Sequence, residues 1–61
     1  MPIITVKMLE GRSDEQKKAL VEKVTEAVVE TTGAKKEAVS IIIEEMSKAH
    51  YATGGVRAID K

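Results

Sequence analysis

The chain has 61 residues, with ten basic side chains balanced by ten acidic ones, no cysteine, and Tyr51 as its sole aromatic. That balance leaves no electrostatic footprint for nucleic acid, the missing cysteines exclude disulfides and thiolate metal sites, and the lone His50 does not build a zinc site. A single domain over 1–61 is expected, but a chain this short buries only about 60% of its unfolded surface, so self-association is the reinforcement left to it.

Pro2-Ile3-Ile4-Thr5-Val6-Lys7-Met8 is rich in β-branched residues. From Ile4 it alternates, with Ile4, Val6 and Met8 on one face and Thr5 and Lys7 on the other, which is the period of a strand with one buried face. Pro2 suits the first position, where no ladder donor is required. Leu9-Glu10-Gly11-Arg12 breaks the pattern with a glycine turn. Ser13-Asp14-Glu15-Gln16 then carries a capping-box signature, and Asp14 and Glu15 complement the helix dipole. Leu20, Val21, Val24, Ala27, Val28 and Thr31 recur at helical spacing, predicting a helix from about Asp14 to Thr32 that ends at Gly33.

Ala34 to Ala38 is a short polar connection with room for one helical turn. Val39-Ser40-Ile41-Ile42-Ile43-Glu44-Glu45 reads as a second strand, with Val39, Ile41 and Ile43 on one side and Ile42 on the other. A strand apolar on both faces is normally covered on both. Gly54-Gly55 signals a turn, and Val56 to Ile59 a short terminal strand. Two strands joined through one helix should be parallel with a right-handed crossover. The fold class is therefore α/β, a βαβ unit with a short C-terminal hairpin. No apolar run approaches the roughly 20 residues of a membrane span, and no signal peptide is visible, so the expected place is the cytoplasm.

Two residues invite a chemical reading. Aminopeptidases generally remove an initiator Met that precedes proline, which would leave Pro2 as a free secondary amine. Such an amine titrates near about 8, and lower when buried or beside cations, close to what a general base at neutral pH requires. The plainer alternative is that Pro2 only opens an edge strand. Arg12, in the turn after the first strand, has the planar fork that suits a carboxylate or a carbonyl oxygen; its alternative is a solvated loop arginine paired with Glu10. His50 reads as a structural hydrogen-bonder. Glu44 and Glu45 are adjacent on a strand and point to opposite faces, so they form no catalytic pair.

Taken together, Pro2, the run from Leu9 through Gly11-Arg12-Ser13 to Lys17, Glu45-Met46, and His50-Tyr51 with Gly54-Gly55 resemble the 4-oxalocrotonate tautomerases over essentially the whole chain. The resemblance implies that two βαβ units form a four-stranded sheet backed by two helices, and that three such dimers build a homohexamer. It implies an isomerase that needs neither metal nor cofactor and acts on an unsaturated keto or enol acid of aromatic hydrocarbon catabolism. Pro2 would take a proton from the 2-hydroxy group of 2-hydroxymuconate and deliver one to C-5, giving 2-oxo-3-hexenedioate. Arg12 would bind the distal carboxylate and draw electron density toward C-5. Tyr51 stands where the best-known members have a phenylalanine wall. The family's second arginine aligns with Ser40, which cannot supply a positive charge, and Arg57 in the tail is a candidate replacement. Two other readings use the same scaffold. A dehalogenase or hydratase would want an acidic residue near Pro2, and Tyr51-Ala52-Thr53 offers none. A non-catalytic assembly protein would retain Met1.

Overall fold

A computed structural model describes all residues from Met1 to Lys61. Strand β1 (Ile3–Leu9) is followed by helix α1 (Asp14–Thr32), a 3-10 turn (Lys36–Ala38) and strand β2 (Ser40–Met46). The tail adds a second 3-10 turn (Lys48–His50), the two-residue strands β3 (Ala52–Thr53) and β4 (Val56–Arg57), and a last 3-10 turn (Ala58–Asp60). β1 and β2 are parallel, in a register that runs from Ile3 opposite Ser40 to Leu9 opposite Met46. This is the βαβ unit that the alternation and the helical spacing predict. The strand limits shift: β1 includes Leu9, and β2 begins at Ser40 and reaches Met46, because pairing between Leu9 and Met46 carries the ladder past both expected ends.

The helix begins where the capping box puts it. The Gln16 amide donates to Ser13 Oγ at 3.1 Å and the Ser13 amide to Gln16 Oε1 at 2.9 Å, satisfying two donors the first turn would leave open. It ends at Gly33, whose φ of 76° is left-handed. Its sheet-facing stripe differs from the sequence expectation at two positions. Ala27 and Thr31 are exposed, and the half-buried residues are Lys17, Leu20, Val21, Val24, Thr25, Val28 and Val29. Exposed on the far side of the helix, Thr31 satisfies its hydroxyl by donating back to the Ala27 carbonyl at 2.7 Å.

One face of the sheet, carrying Ile4, Val6, Ile41 and Ile43, lies half-buried under α1, while Ile3, Thr5, Ser40, Ile42 and Glu44 are exposed on the other. Ile42 keeps 47% of its surface in solvent. Lys7 and Glu44, opposite one another in the register, form a loose ion pair at 4.0 Å on that open face. In the tail, β3 and β4 form a hairpin through Gly54 and Gly55, both at positive φ, as a tight two-residue turn requires. Ile59 falls in the last 3-10 turn and not in a strand, correcting the expected Val56 to Ile59 segment. No residue of the isolated chain is fully buried.

Candidate active site

The ladder distributes the candidate residues between the two ends of the sheet. At one end, the Pro2 carbonyl accepts from the Ser40 amide at 3.0 Å, immediately before Ile3 and Ser40 pair. This bond fixes the backbone of both residues at the mouth of β1. The Pro2 ring is half-buried and Ser40 is exposed. The Pro2 nitrogen has no N–H and takes no part in the ladder; with Met1 attached it is an amide.

At the other end, the Glu10 amide donates to the Met46 carbonyl at 2.9 Å, extending the parallel pairing one step past Leu9. Arg12 follows in the turn between that bond and the Ser13 cap. Its guanidinium belongs to none of the ion pairs and makes no side-chain hydrogen bond, so the expected Glu10–Arg12 pair is not formed. Tyr51 lines a hollow with Lys7, Met8, Leu9 and Met46 and keeps 45% of its surface exposed. The apolar companions Met8, Leu9 and Met46 were not singled out in the sequence, because only the register shows that the ends of β1 and β2 meet beneath the tail.

The seven residues of β1, at about 3.3 Å of rise each, hold these two ends roughly 20 Å apart. Within one chain, therefore, Pro2 and Ser40 are together, Arg12 and Tyr51 share the opposite end, and the four do not converge. Arg57 is committed elsewhere: its Nε donates to Asp60 Oδ2 at 2.8 Å and a terminal nitrogen to Oδ1 at 3.3 Å. A two-toothed grip of this kind leaves it unsuited to replace the arginine missing at Ser40. His50 is exposed at the end of a 3-10 turn, where its amide donates to the Ser47 carbonyl at 2.9 Å, and its imidazole makes no hydrogen bond. The expected structural hydrogen bond of its side chain is therefore not formed: the ring is exposed, and only the backbone amide, which any residue would supply, is engaged. Glu44 and Glu45 do face opposite ways: Glu44 meets Lys7, and Glu45 accepts from Lys17 Nζ at 3.0 Å.

Lys17 was missed as more than a helix residue. Its ammonium contacts both Glu45 and, at 3.4 Å, Asp14. The hydrogen bond that its ammonium donates to Glu45 holds it above lysine's ordinary pKa range; partial burial opposes the rise, and the contact with Asp14 and the charges of both carboxylates add to it. The Asp14 contact is legible as an i, i+3 spacing, but the one to Glu45 spans 28 positions and leaves no local trace.

Comparison with known proteins places this geometry. The profile of the family described as tautomerase enzyme matches residues 2–61. The chain is 67% identical over 60 residues to the 2-hydroxymuconate tautomerase of Bacillus subtilis (strain 168), covering 98% of this chain and 97% of that one. Its fold superposes with a TM-score of 0.96 on the crystal structure of a homologue of 4-oxalocrotonate tautomerase, at 65% identity and 98% coverage of both chains. A heterohexamer 4-oxalocrotonate tautomerase from Chloroflexus aurantiacus J-10-fl is similar too, with a TM-score of 0.94, 32% identity, and 98% and 97% of the two chains covered. Fold, length and sequence agree across the whole chain: it belongs to the 4-oxalocrotonate tautomerase family, and it is a tautomerase, an isomerase of the βαβ type.

Proposed function

We propose that this tautomerase moves a proton within 2-hydroxymuconate or a close relative, an unsaturated 2-hydroxy acid, using the amine of Pro2 as its base once Met1 has been removed. The observation that carries the reading is the seating of Pro2: its carbonyl is tied to the Ser40 amide at 3.0 Å while its nitrogen stays outside the ladder. Removal of Met1 converts that nitrogen from an amide into a secondary amine without disturbing a hydrogen bond of the sheet. The amine takes the proton of the 2-hydroxy group, the electrons shift through the diene, and the proton returns at C-5, leaving the conjugated 2-oxo-3-hexenedioate. Atoms and charge balance with no cofactor. Arg12 binds the distal carboxylate and draws electron density toward C-5, Tyr51 with Met8, Leu9 and Met46 supplies the apolar wall, and Ser40 offers a hydroxyl where relatives carry a cation.

The separation of about 20 Å along β1 requires Arg12 and Tyr51 to come from a different copy than Pro2. Two βαβ units in one four-stranded sheet, assembled further into a hexamer, provide such a site. The similarity to a chain whose own assembly is a heterohexamer supports this. A place in the cytoplasmic breakdown of aromatic compounds fits the substrate, and no helix is long and apolar enough to cross a membrane.

The test is an ultraviolet assay of 2-hydroxymuconate turnover by processed protein and its Pro2→Ala variant. Alanine keeps a terminal amine but loses the ring, so turnover should fall by roughly tenfold or more, part of the contribution of about a hundredfold or greater that a positioned base makes. Equal turnover by the two proteins contradicts Pro2 as the base.

A further inference from the structure

The turn that carries Arg12 is flanked by carboxylates, yet its guanidinium has no partner. Asp14 lies two positions on, in the first turn of α1, and Glu45 lies at the end of β2, one residue before the Met46 carbonyl that anchors Glu10. Both carboxylates are engaged by one side chain. Lys17 reaches Glu45 at 3.0 Å and Asp14 at 3.4 Å, and only 23% of its side chain remains exposed. Its own amide donates to the Ser13 carbonyl at 3.0 Å, the first bond of the helix. Lys17 therefore links the helix start to the end of β2, and the turn containing Arg12 is strung between those two fixed points.

We propose that Lys17 is a positioning residue for Arg12: by binding Glu45 and Asp14 it fixes the turn and withholds both carboxylates from the neighbouring guanidinium, which stays open for the carboxylate of the substrate. The proposal rests on the reading of Arg12 as the substrate-carboxylate ligand. An arginine captured by its own chain would present a neutralised fork to an incoming anion, and substrate would first have to displace an internal partner. A lysine suits the task because its compact ammonium, with three donors, meets two carboxylates from different directions. Replacing Lys17 by an apolar residue frees the carboxylates of Glu45 and of Asp14, the latter two positions from Arg12 in the chain, and leaves the proton-transfer residue Pro2 untouched.

The experiment measures kcat and KM for 2-hydroxymuconate on processed protein, with helix content checked by circular dichroism. Lys17→Met should raise KM by roughly tenfold, the low end of a charged hydrogen bond, with kcat changed much less. Lys17→Arg should restore most of the loss. Adding Asp14→Asn and Glu45→Gln to Lys17→Met should also restore KM, because no carboxylate then remains to capture Arg12. In an Arg12→Ala background, itself impaired by roughly ten- to a hundredfold in kcat/KM, Lys17→Met should have no further effect. An unchanged KM for Lys17→Met overturns the proposal. So does an equal KM increase with and without Arg12, which marks a merely structural lysine. An Arg12→Ala variant with parental kinetics removes the reading of Arg12 itself, a different failure that the same series identifies.

Discussion

Ser40 and Arg12 differ in what surrounds them, and the difference sets their chemistry. Arg12 is a free cation on a fixed turn, whereas Ser40 has its amide on Pro2 and an exposed hydroxyl. Arg57, held by both oxygens of Asp60, does not restore the missing charge. On the proposed reading, the Pro2 end then has a hydroxyl where a second arginine would help, and charge on the carbonyl oxygen would be less well stabilised. Ser40→Arg should therefore raise kcat/KM for the diacid 2-hydroxymuconate more than for a monoacid enol. The gain should be roughly tenfold, and at most about a hundredfold, the worth of one charged hydrogen bond. Side-by-side kinetics of the two substrates, on protein confirmed to be folded, checks this; a gain equal for both would mean that the added fork does not engage a second anionic group. At this scale residue type and order placed Pro2 at the head of a strand and Arg12 in a glycine turn before the helix, as the structure has them, while the reading of Ser40 came only from the resemblance. The engagement of Lys17 was not legible, since its partner Glu45 is remote in sequence and near only in the fold.

Helix α1 owes its start to local chemistry and its position to the sheet. Ser13 and Gln16 close the capping box at 3.1 and 2.9 Å, and a helix of 19 residues with half-buried valines needs a defined beginning if Arg12, the residue before the cap, is to hold its place. Ser13→Ala leaves the Gln16 amide unsatisfied. It should destabilise the protein by about 1 kcal/mol, read as a shift in the midpoint of urea unfolding at fixed protein concentration, and no shift would show that the cap carries little of the fold. The helix limits and the strand order were readable because capping, 3.6-residue spacing and alternation are local properties. The ends of the strands were less so: Leu9 and Met46 join the sheet by pairing with each other, which no local pattern encodes. The placement of Thr31 and Ala27 outside the buried stripe has the same origin, because the angular position of a helix is set by what it packs on.

The isolated chain is more open than a compact monomer of its length. It exposes 4771 Å², against about 3900 Å² for a compact monomer of its 6.6 kDa mass. The excess, on the order of 900 Å², is close to one partner's share of a standard protein–protein interface. Its radius of gyration of 14.5 Å exceeds the roughly 10.5 Å of a compact domain this long. A two-stranded parallel sheet with one bare face is likewise unusual outside an assembly. Ile42 sits in the middle of that face, opposite Thr5. Ile42→Glu, which places a second carboxylate beside Glu44, should shift the protein toward smaller, less stable species in sedimentation at low micromolar concentration and lower its turnover with it. Unaltered assembly would show that this face is not the one covered. Length alone raises the expectation of a partner, and the bare face of the sheet agrees with it; that the proposed site draws on two copies follows from the span of β1 and was not readable in the sequence. The proposed site and the proposed chemistry both depend on the nitrogen of Pro2, and one comparison tests that most directly. Two preparations differing only in Met1, with their N-terminal masses verified, are assayed on 2-hydroxymuconate under identical conditions. Processed protein should turn it over, and protein retaining Met1, whose Pro2 nitrogen is an amide without a basic lone pair, should be nearly inactive; equal rates would contradict the account.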